Sequence, residues 1–279
     1  MAVGVAAASV GAVSGAVGVG ARQLLARQAE TARRIIGKPL GEEAPRADRV
    51  WKKAYGNPVE LLVLGDSIAA GLGAERRKDT LGGRLAKGLA KRTQRAVRLT
   101  TGAVVGAESS QLADQLDGLP AGYVADVAVV VVGGNDVTHR VPVSESARHL
   151  TDAIERLRAQ GTEVVVGTCP DLGLLRPVPQ PLRTLGSRAS RQLAAAQATA
   201  ATAAGAHAVS LARVVGPFFI TNPDEMFSLD RFHPSALGYR RTASALLPSV
   251  LHALGLHDRV PFGHEVPGVA VAEPAVATP

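Results

Sequence analysis

An α/β architecture built on a mostly parallel sheet follows from three features of the chain. Short apolar runs suited to strands recur at 59–64 (VELLVL), about 96–100 (AVRLT), 126–132 (DVAVVVV), 163–167 (EVVVG) and about 207–211 (HAVSL). Helical patterns lie between and after them, near 79–92, 107–117, 144–160, 183–204 and 235–254. This alternation implies right-handed βαβ crossovers. The stretch Val127–Val132 is apolar at every position, as a central strand covered on both faces requires.

The elements follow in chain order. Residues 1–20 carry no charged side chain and approach the ~20 residues that span a bilayer as a helix. They lack Leu, Ile and Phe, and the basic residues come after them instead of before, unlike a secretory signal. A membrane anchor with the following domain on the cytoplasmic side is the favoured reading. A signal and a soluble leader stay open. Residues 21–40 read as an amphipathic helix with Leu25, Ala29, Ala32 and Ile36 on one face, stopped by Gly37 and Pro39. Gly41–Pro58 is polar with scattered Pro and Gly, and reads as a linker. The strands and helices above then fill the main domain, and the Pro/Ala/Val-rich C-terminus reads as an irregular tail. The expected organisation is an apolar segment at 1–20, a basic helix and linker at 21–57, a catalytic domain at 58–256 and a tail at 257–279.

Composition narrows the function. The chain is 46% hydrophobic but only 3% aromatic, so its core must be assembled from Ala, Val and Leu. The net charge of +7 is concentrated between Arg22 and Lys53, where no aromatic residue other than Trp51 interleaves with the bases. That pattern argues against a base-stacking nucleic-acid surface and for membrane contact through residues 1–36. The lone Cys169 forms no internal disulfide or cysteine zinc cluster and reads as a buried thiol. No His/Asp/Glu spacing suggests a metal site, and no cofactor is expected.

In open parallel sheets the working site lies outside the carboxyl ends of the strands. Those loops hold Gly65-Asp66-Ser67, then Gly102 and Gly106, then Gly133–Asp136, and finally Asp230–Ser235 before the last helix. They contain the parts of acyl transfer. Ser67 is a nucleophile in need of a base, His233 can take its proton, and Asp230 can orient the imidazole from three residues upstream. The Ser67 N–H, the Gly106 N–H and the Asn135 amide are candidate oxyanion donors. Asp66 and Asp136 read as loop-bracing residues. His139 reads as a loop residue that could edge the pocket. His149, His207, His252, His257 and His264 read as surface or packing residues. The apolar loops Leu172–Leu182 and Val215–Phe227 are candidate walls of an acyl pocket.

These four blocks resemble those of the SGNH, or GDSL, hydrolase superfamily. Gly65-Asp66-Ser67 is similar to its nucleophile block, Gly106 in "GAVVGAESS" to its second-block glycine, Gly133–Asp136 to its G-x-N-D block, and Asp230–Pro234 to its D-x-x-H block. The stretch "SALGYRRTASALL" after His233 resembles the family's closing helix, and the likeness runs roughly from Pro58 to Gly255. One departure is that Thr100 and Thr101 stand where an asparagine often precedes the second block. The resemblance implies a flavodoxin-like three-layer α/β/α fold with a five-stranded parallel sheet in the order 2-1-3-4-5. It also implies metal-free hydrolysis of esters or thioesters, with Ser67, Asp230 and His233 as the triad and Ser67, Gly106 and Asn135 as the oxyanion hole. The G-x-S-x-G elbow of α/β-hydrolases does not fit, because Ala69 ends the motif and Asp230 lies only three residues from His233.

The expected activity is hydrolysis of carboxylic esters with short to medium acyl chains. Acyl transfer, or removal of acyl groups from sugars or lipids, is the alternative. A membrane-tethered binding protein without activity is the third reading. The expected partners are an ester substrate and a membrane, without nucleic acid. The expected state is a monomer at the membrane or cell envelope, with the cytoplasm as the alternative.

Overall fold

The computed structural model describes residues 4–39 and 41–268, with residues 4–19 described as backbone only. Residues 1–19 of the expected anchor and residues 269–279 of the expected tail therefore lie outside the fully described residues. Among the described residues no helix is long and apolar enough to cross a membrane.

The strands are β1 (Arg49–Trp51), β2 (Val59–Gly65), β3 (Val97–Thr101), β4 (Val127–Val131), β5 (Glu163–Gly167), β6 (His207–Val209) and β7 (His264–Glu265). The helices are α1 (Gly4–Ile36), α2 (Ser67–Ala70), α3 (Leu81–Thr93), α4 (Leu112–Asp117), α5 (Gly134–His139) and α6 (Val143–Ala159), followed by α7 (Leu182–Ala203), α8 (Leu211–Val214), α9 (Gly216–Thr221), α10 (Pro223–Met226) and α11 (Ala236–Ala253).

One sheet runs in the order β1-β3-β2-β4-β5-β6-β7. Its five central strands are parallel, with Leu61 opposite both Leu99 and Val127, and Val129 opposite Val165. The expected five-stranded sheet is thus extended by two short antiparallel edge strands. Arg49–Trp51, inside the expected linker, pairs with Val97–Leu99, and His264–Glu265, inside the expected tail, pairs with Ala208–Val209. Both are too short to show an alternating pattern, and the neighbouring strand's open backbone groups supply their order. Trp51 secures β1 by donating its indole N–H to the Ala47 carbonyl at 3.2 Å.

Successive side chains of β2 divide the core. Leu61 and Val63 join the layer of α3 and α11, with Leu81, Leu85, Leu89, Tyr239 and Leu246. Leu62 and Leu64 point the other way, into the layer of α4 and α6, with Leu112, Leu150, Ile154 and Leu157. Each fully buried Leu or Val contributes about 1.5–3 kcal/mol. Tyr239 is the one aromatic residue among the largest fully buried side chains of the described residues, and it donates its hydroxyl to the Leu72 carbonyl at 2.6 Å.

Helix α1 runs without interruption across the boundary expected at residue 20 and ends at Ile36, where Gly37 turns the chain with φ +56°. It is tied to the domain by Gln28, whose side chain accepts from the Leu182 N–H at 3.0 Å and donates to the Gln180 carbonyl.

Candidate active site

The turn that carries Ser67 depends on one glycine. Gly65 ends β2 with φ +129°, and a Cβ there would lie 1.8 Å from the Val131 carbonyl oxygen. Only glycine permits the strand to break so close to its neighbour. Asp66 follows as the cap of α2, accepting from the Ile68 N–H at 2.9 Å, and donates its own amide to the Val131 carbonyl at 3.0 Å. This places Ser67 at the head of α2, buried against the end of the sheet.

His233 arrives from the loop before α11. Its Nε2 lies 2.9 Å from Ser67 Oγ and its Nδ1 lies 2.6 Å from Asp230 Oδ2. With Nδ1–H donated to the carboxylate, Nε2 is left to accept from the serine hydroxyl. The other carboxylate oxygen, Oδ1, accepts from Ser228 Oγ at 2.7 Å and from the Phe232 and His233 N–H groups at 2.9 Å each. Burial pushes the Asp230 carboxyl up, but these donors outweigh it and hold it at about 2. Asp230 is therefore ionised wherever His233 could need it. Asp66 is the opposite case: burial dominates and raises its carboxyl to about 6, against the hydrogen bonds from Ile68 and Gly134.

The oxyanion candidates sit on two further loops. Asn135 is in the first turn of α5 and lines the same cavity as Ser67. One hydrogen of its side-chain amide goes to the Ala107 carbonyl at 2.9 Å, which leaves the second free. Gly106 has φ +85° and open space where a Cβ would stand. Neither the Ser67 N–H nor the Gly106 N–H meets a protein acceptor among the described residues. The Gly106 loop is held at both ends, since Val104 N–H donates to the Gly65 carbonyl at 3.0 Å and Asp136 accepts from the Ser109 N–H at 3.1 Å. Asp136 is fully buried and braces this loop.

Two glutamines were not singled out in the sequence. Gln115 of α4 holds the amide and carbonyl of Gly65, and Gln197 of α7 donates to the Val132 carbonyl at 2.9 Å and accepts from the Cys169 N–H at 2.7 Å. Both pin the carboxyl ends of strands beside the site. Their only signal in the sequence is a polar residue on an otherwise apolar helix face. Ser228, which supports Asp230, carried no signal.

A cavity of 80 Å³ opens at Ser67 and His233. Leu172, Leu174 and Leu175 form one wall, and Val215, Phe219 and Phe227 another, so both candidate wall loops contribute. His139 is not part of it; it is exposed and paired with Glu108 at 2.6 Å. Cys169 is fully buried, and burial pushes its thiol well up. His207 is buried against His252, with Nε2 and Nδ1 2.8 Å apart, and His264 bonds Ser249 at 2.7 Å. Among the described residues no group of three or more His, Cys, Asp or Glu side chains is arranged to hold a metal ion.

Comparison with known proteins identifies the family. Residues 63–241 match the model of the GDSL-like lipase/acylhydrolase family, and a GDSL-like esterase of Mycobacterium tuberculosis is 40% identical over 97% of this chain and 90% of its own length. The chain belongs to the GDSL-like lipase/acylhydrolase family. It shares the SGNH fold with the esterase EstA of Pseudoalteromonas sp., at 19% identity and a TM-score of 0.55 over 70% of this chain and 98% of that one. A lipase from a goat rumen metagenome has the same TM-score at 20% identity, over 72% and 99% of the two chains. As a member of this family the protein is an esterase-type hydrolase.

Proposed function

We propose that the protein hydrolyses carboxylic esters through an acyl-enzyme on Ser67. The 2.9 Å contact between Ser67 Oγ and His233 Nε2, continued to Asp230 at 2.6 Å, carries this reading. Ser67 Oγ attacks the acyl carbonyl as His233 takes its proton. The Ser67 N–H, the Gly106 N–H and the free Asn135 amide hydrogen receive the oxyanion. Asp230 stabilises the imidazolium, which then protonates the departing alcohol. Water activated by His233 releases the acid. The small leucine- and phenylalanine-walled cavity favours short acyl chains.

Ser67→Ala and His233→Ala are expected to abolish turnover of p-nitrophenyl acetate while the fold, followed by circular dichroism, persists. A fluorophosphonate probe is expected to label wild type at Ser67, read by peptide mass spectrometry. Turnover near wild type in either variant refutes the mechanism.

Membrane contact through residues 1–36 belongs to the same reading. Leu24 and Ile35 are exposed on the helix that carries Arg27, Arg33 and Arg34. Flotation with anionic vesicles tests it, and a chain starting at residue 37 is expected to stay unbound.

A further inference from the structure

A basic concavity opens at the β1 edge of the sheet. Arg46, Arg49 and Trp51 reach it from β1 and the chain before it, and Arg76, Arg77 and Lys78 from the loop between α2 and α3. The two segments meet because α3 packs against both β1 and β3. The volume of 750 Å³ falls within the range of about 300–1,000 Å³ typical of small-molecule sites. None of Ser67, Asn135 and His233 lines it.

Two of the cations are held in place. Arg76 donates its Nε–H to Asp79 Oδ2 at 2.8 Å, and Asp79, itself buried, also accepts from Arg84 Nη2 at 2.7 Å. The terminal Nη groups of Arg76 stay available for a ligand. The Arg49 guanidinium stands 5.8 Å from the centre of the Trp51 ring, which is fixed by its N–H bond to the Ala47 carbonyl. Arg46, Arg49, Arg77 and Lys78 have no ion-pair partner among the described residues. Lys87 of α3 registers the field beside them: burial, then the charges of Arg84, Lys78 and Lys52, push its ammonium down against the pull of Asp79.

Like charges brought this close repel, and Glu75 is the one carboxylate among the lining residues. A concentrated anion relieves that repulsion. A phosphate group carries close to two charges and three acceptor oxygens, and guanidinium forks match its geometry. Carboxylates bring one charge each, so about twice as many would have to fit the same space. A base-stacking ligand is disfavoured, because Arg49 covers a face of Trp51.

We infer that this concavity binds clustered phosphate groups, carried either by a soluble polyphosphorylated compound or by the headgroup of a lipid with two phosphates. Binding here is independent of the reaction at Ser67.

Calorimetric titration of the full chain with tripolyphosphate tests the inference, with sulfate as the comparison anion. Tripolyphosphate is expected to bind at least about tenfold tighter than sulfate, the scale of one further charge-assisted hydrogen bond. Arg49→Gln and Arg77→Gln, both at exposed positions, are each expected to weaken it about three- to tenfold. Arg188→Gln, which removes an exposed cation on α7, is expected to leave it unchanged. Circular dichroism checks the fold of each variant. Flotation with phosphatidylcholine vesicles containing cardiolipin separates the two sources. The chain carrying both Arg49→Gln and Arg77→Gln, with α1 intact, floats less than wild type if the ligand is a headgroup and equally if it is soluble. Undetectable tripolyphosphate binding, equal affinity for the two anions, or a loss in Arg188→Gln as large as in the other variants overturns the inference. Tighter binding of a short single-stranded DNA than of tripolyphosphate also overturns it, in favour of a nucleic-acid surface.

Discussion

The side chain of Gln115 closes two hydrogen bonds on a single residue, Gly65, accepting from its amide and donating to its carbonyl, each at 2.8 Å. A side chain on a helix thus does for the end of β2 what a neighbouring strand would do. Gly65 stands two residues before Ser67, so the position of Ser67 depends on this pin.

Gln115→Leu is expected to leave both backbone groups of Gly65 without this partner in a buried setting and to cost about 2–4 kcal/mol. Urea unfolding measures the loss. A fall in kcat for p-nitrophenyl acetate at urea-free conditions, where the variant is folded, would register the displaced Ser67. A variant matching wild type in both would show that the pin is dispensable.

Asn135→Ala removes one of the three proposed oxyanion donors and is expected to lower kcat on the order of 10²–10³ with little change in KM. The same substitution frees the Ala107 carbonyl. Urea unfolding reads the loss of that bond, and kcat reads the loss of the donor. Steady-state kinetics with wild-type kcat in Asn135→Ala would remove this residue from the oxyanion site.

The two perturbed carboxyls give opposite pH dependences. Asp66 is held at about 6 in the fold against an ordinary value of 3.8, so the native state binds its proton more tightly than the unfolded chain. Its contribution to stability is complete below pH 3.8 and is lost as pH rises through 6. Asp230, held at about 2, contributes above pH 3.8 and loses that contribution as pH falls through 2. Asp66→Asn is expected to gain on wild type by up to roughly 3 kcal/mol between pH 4 and pH 7. Denaturant unfolding at several pH values measures the difference, and a constant gap contradicts it.

Gln28 offers a handle on acyl selectivity. It anchors the backbone at 180–182, the end of the loop whose leucines wall the cavity. Gln28→Ala is expected to loosen that wall and raise kcat/KM for p-nitrophenyl hexanoate relative to acetate by about two- to tenfold, the worth of one hydrogen bond. An unchanged ratio would detach α1 from the pocket.

The sequence and the structure agree where the determinants are local. The run Val127–Val132 and the strand Glu163–Gly167 read directly as buried strands, and helices near 144–160 and 183–204 fall within a residue of α6 and α7. The convergence of Ser67, His233 and Asp230 was legible because they stand at strand-end loops that parallel topology gathers. What was not legible depends on distant backbone. Gln115 and Gln197 have partners 50 and 65 residues away, and Arg49–Trp51 becomes a strand only against Val97–Leu99. The helix expected from 107 begins at Leu112, since the preceding loop is drawn out by its bonds to Gly65 and Asp136.

The antiparallel strand β7 has a further consequence. It is two residues long, yet it covers the outer backbone of β6, whose three residues are all buried. A chain cut before residue 257 would present Ala208 and Val209 as an unprotected apolar edge, the kind of surface that recruits strands from other molecules. Shortening the protein from its C-terminus should therefore show first as aggregation, before any loss of catalysis.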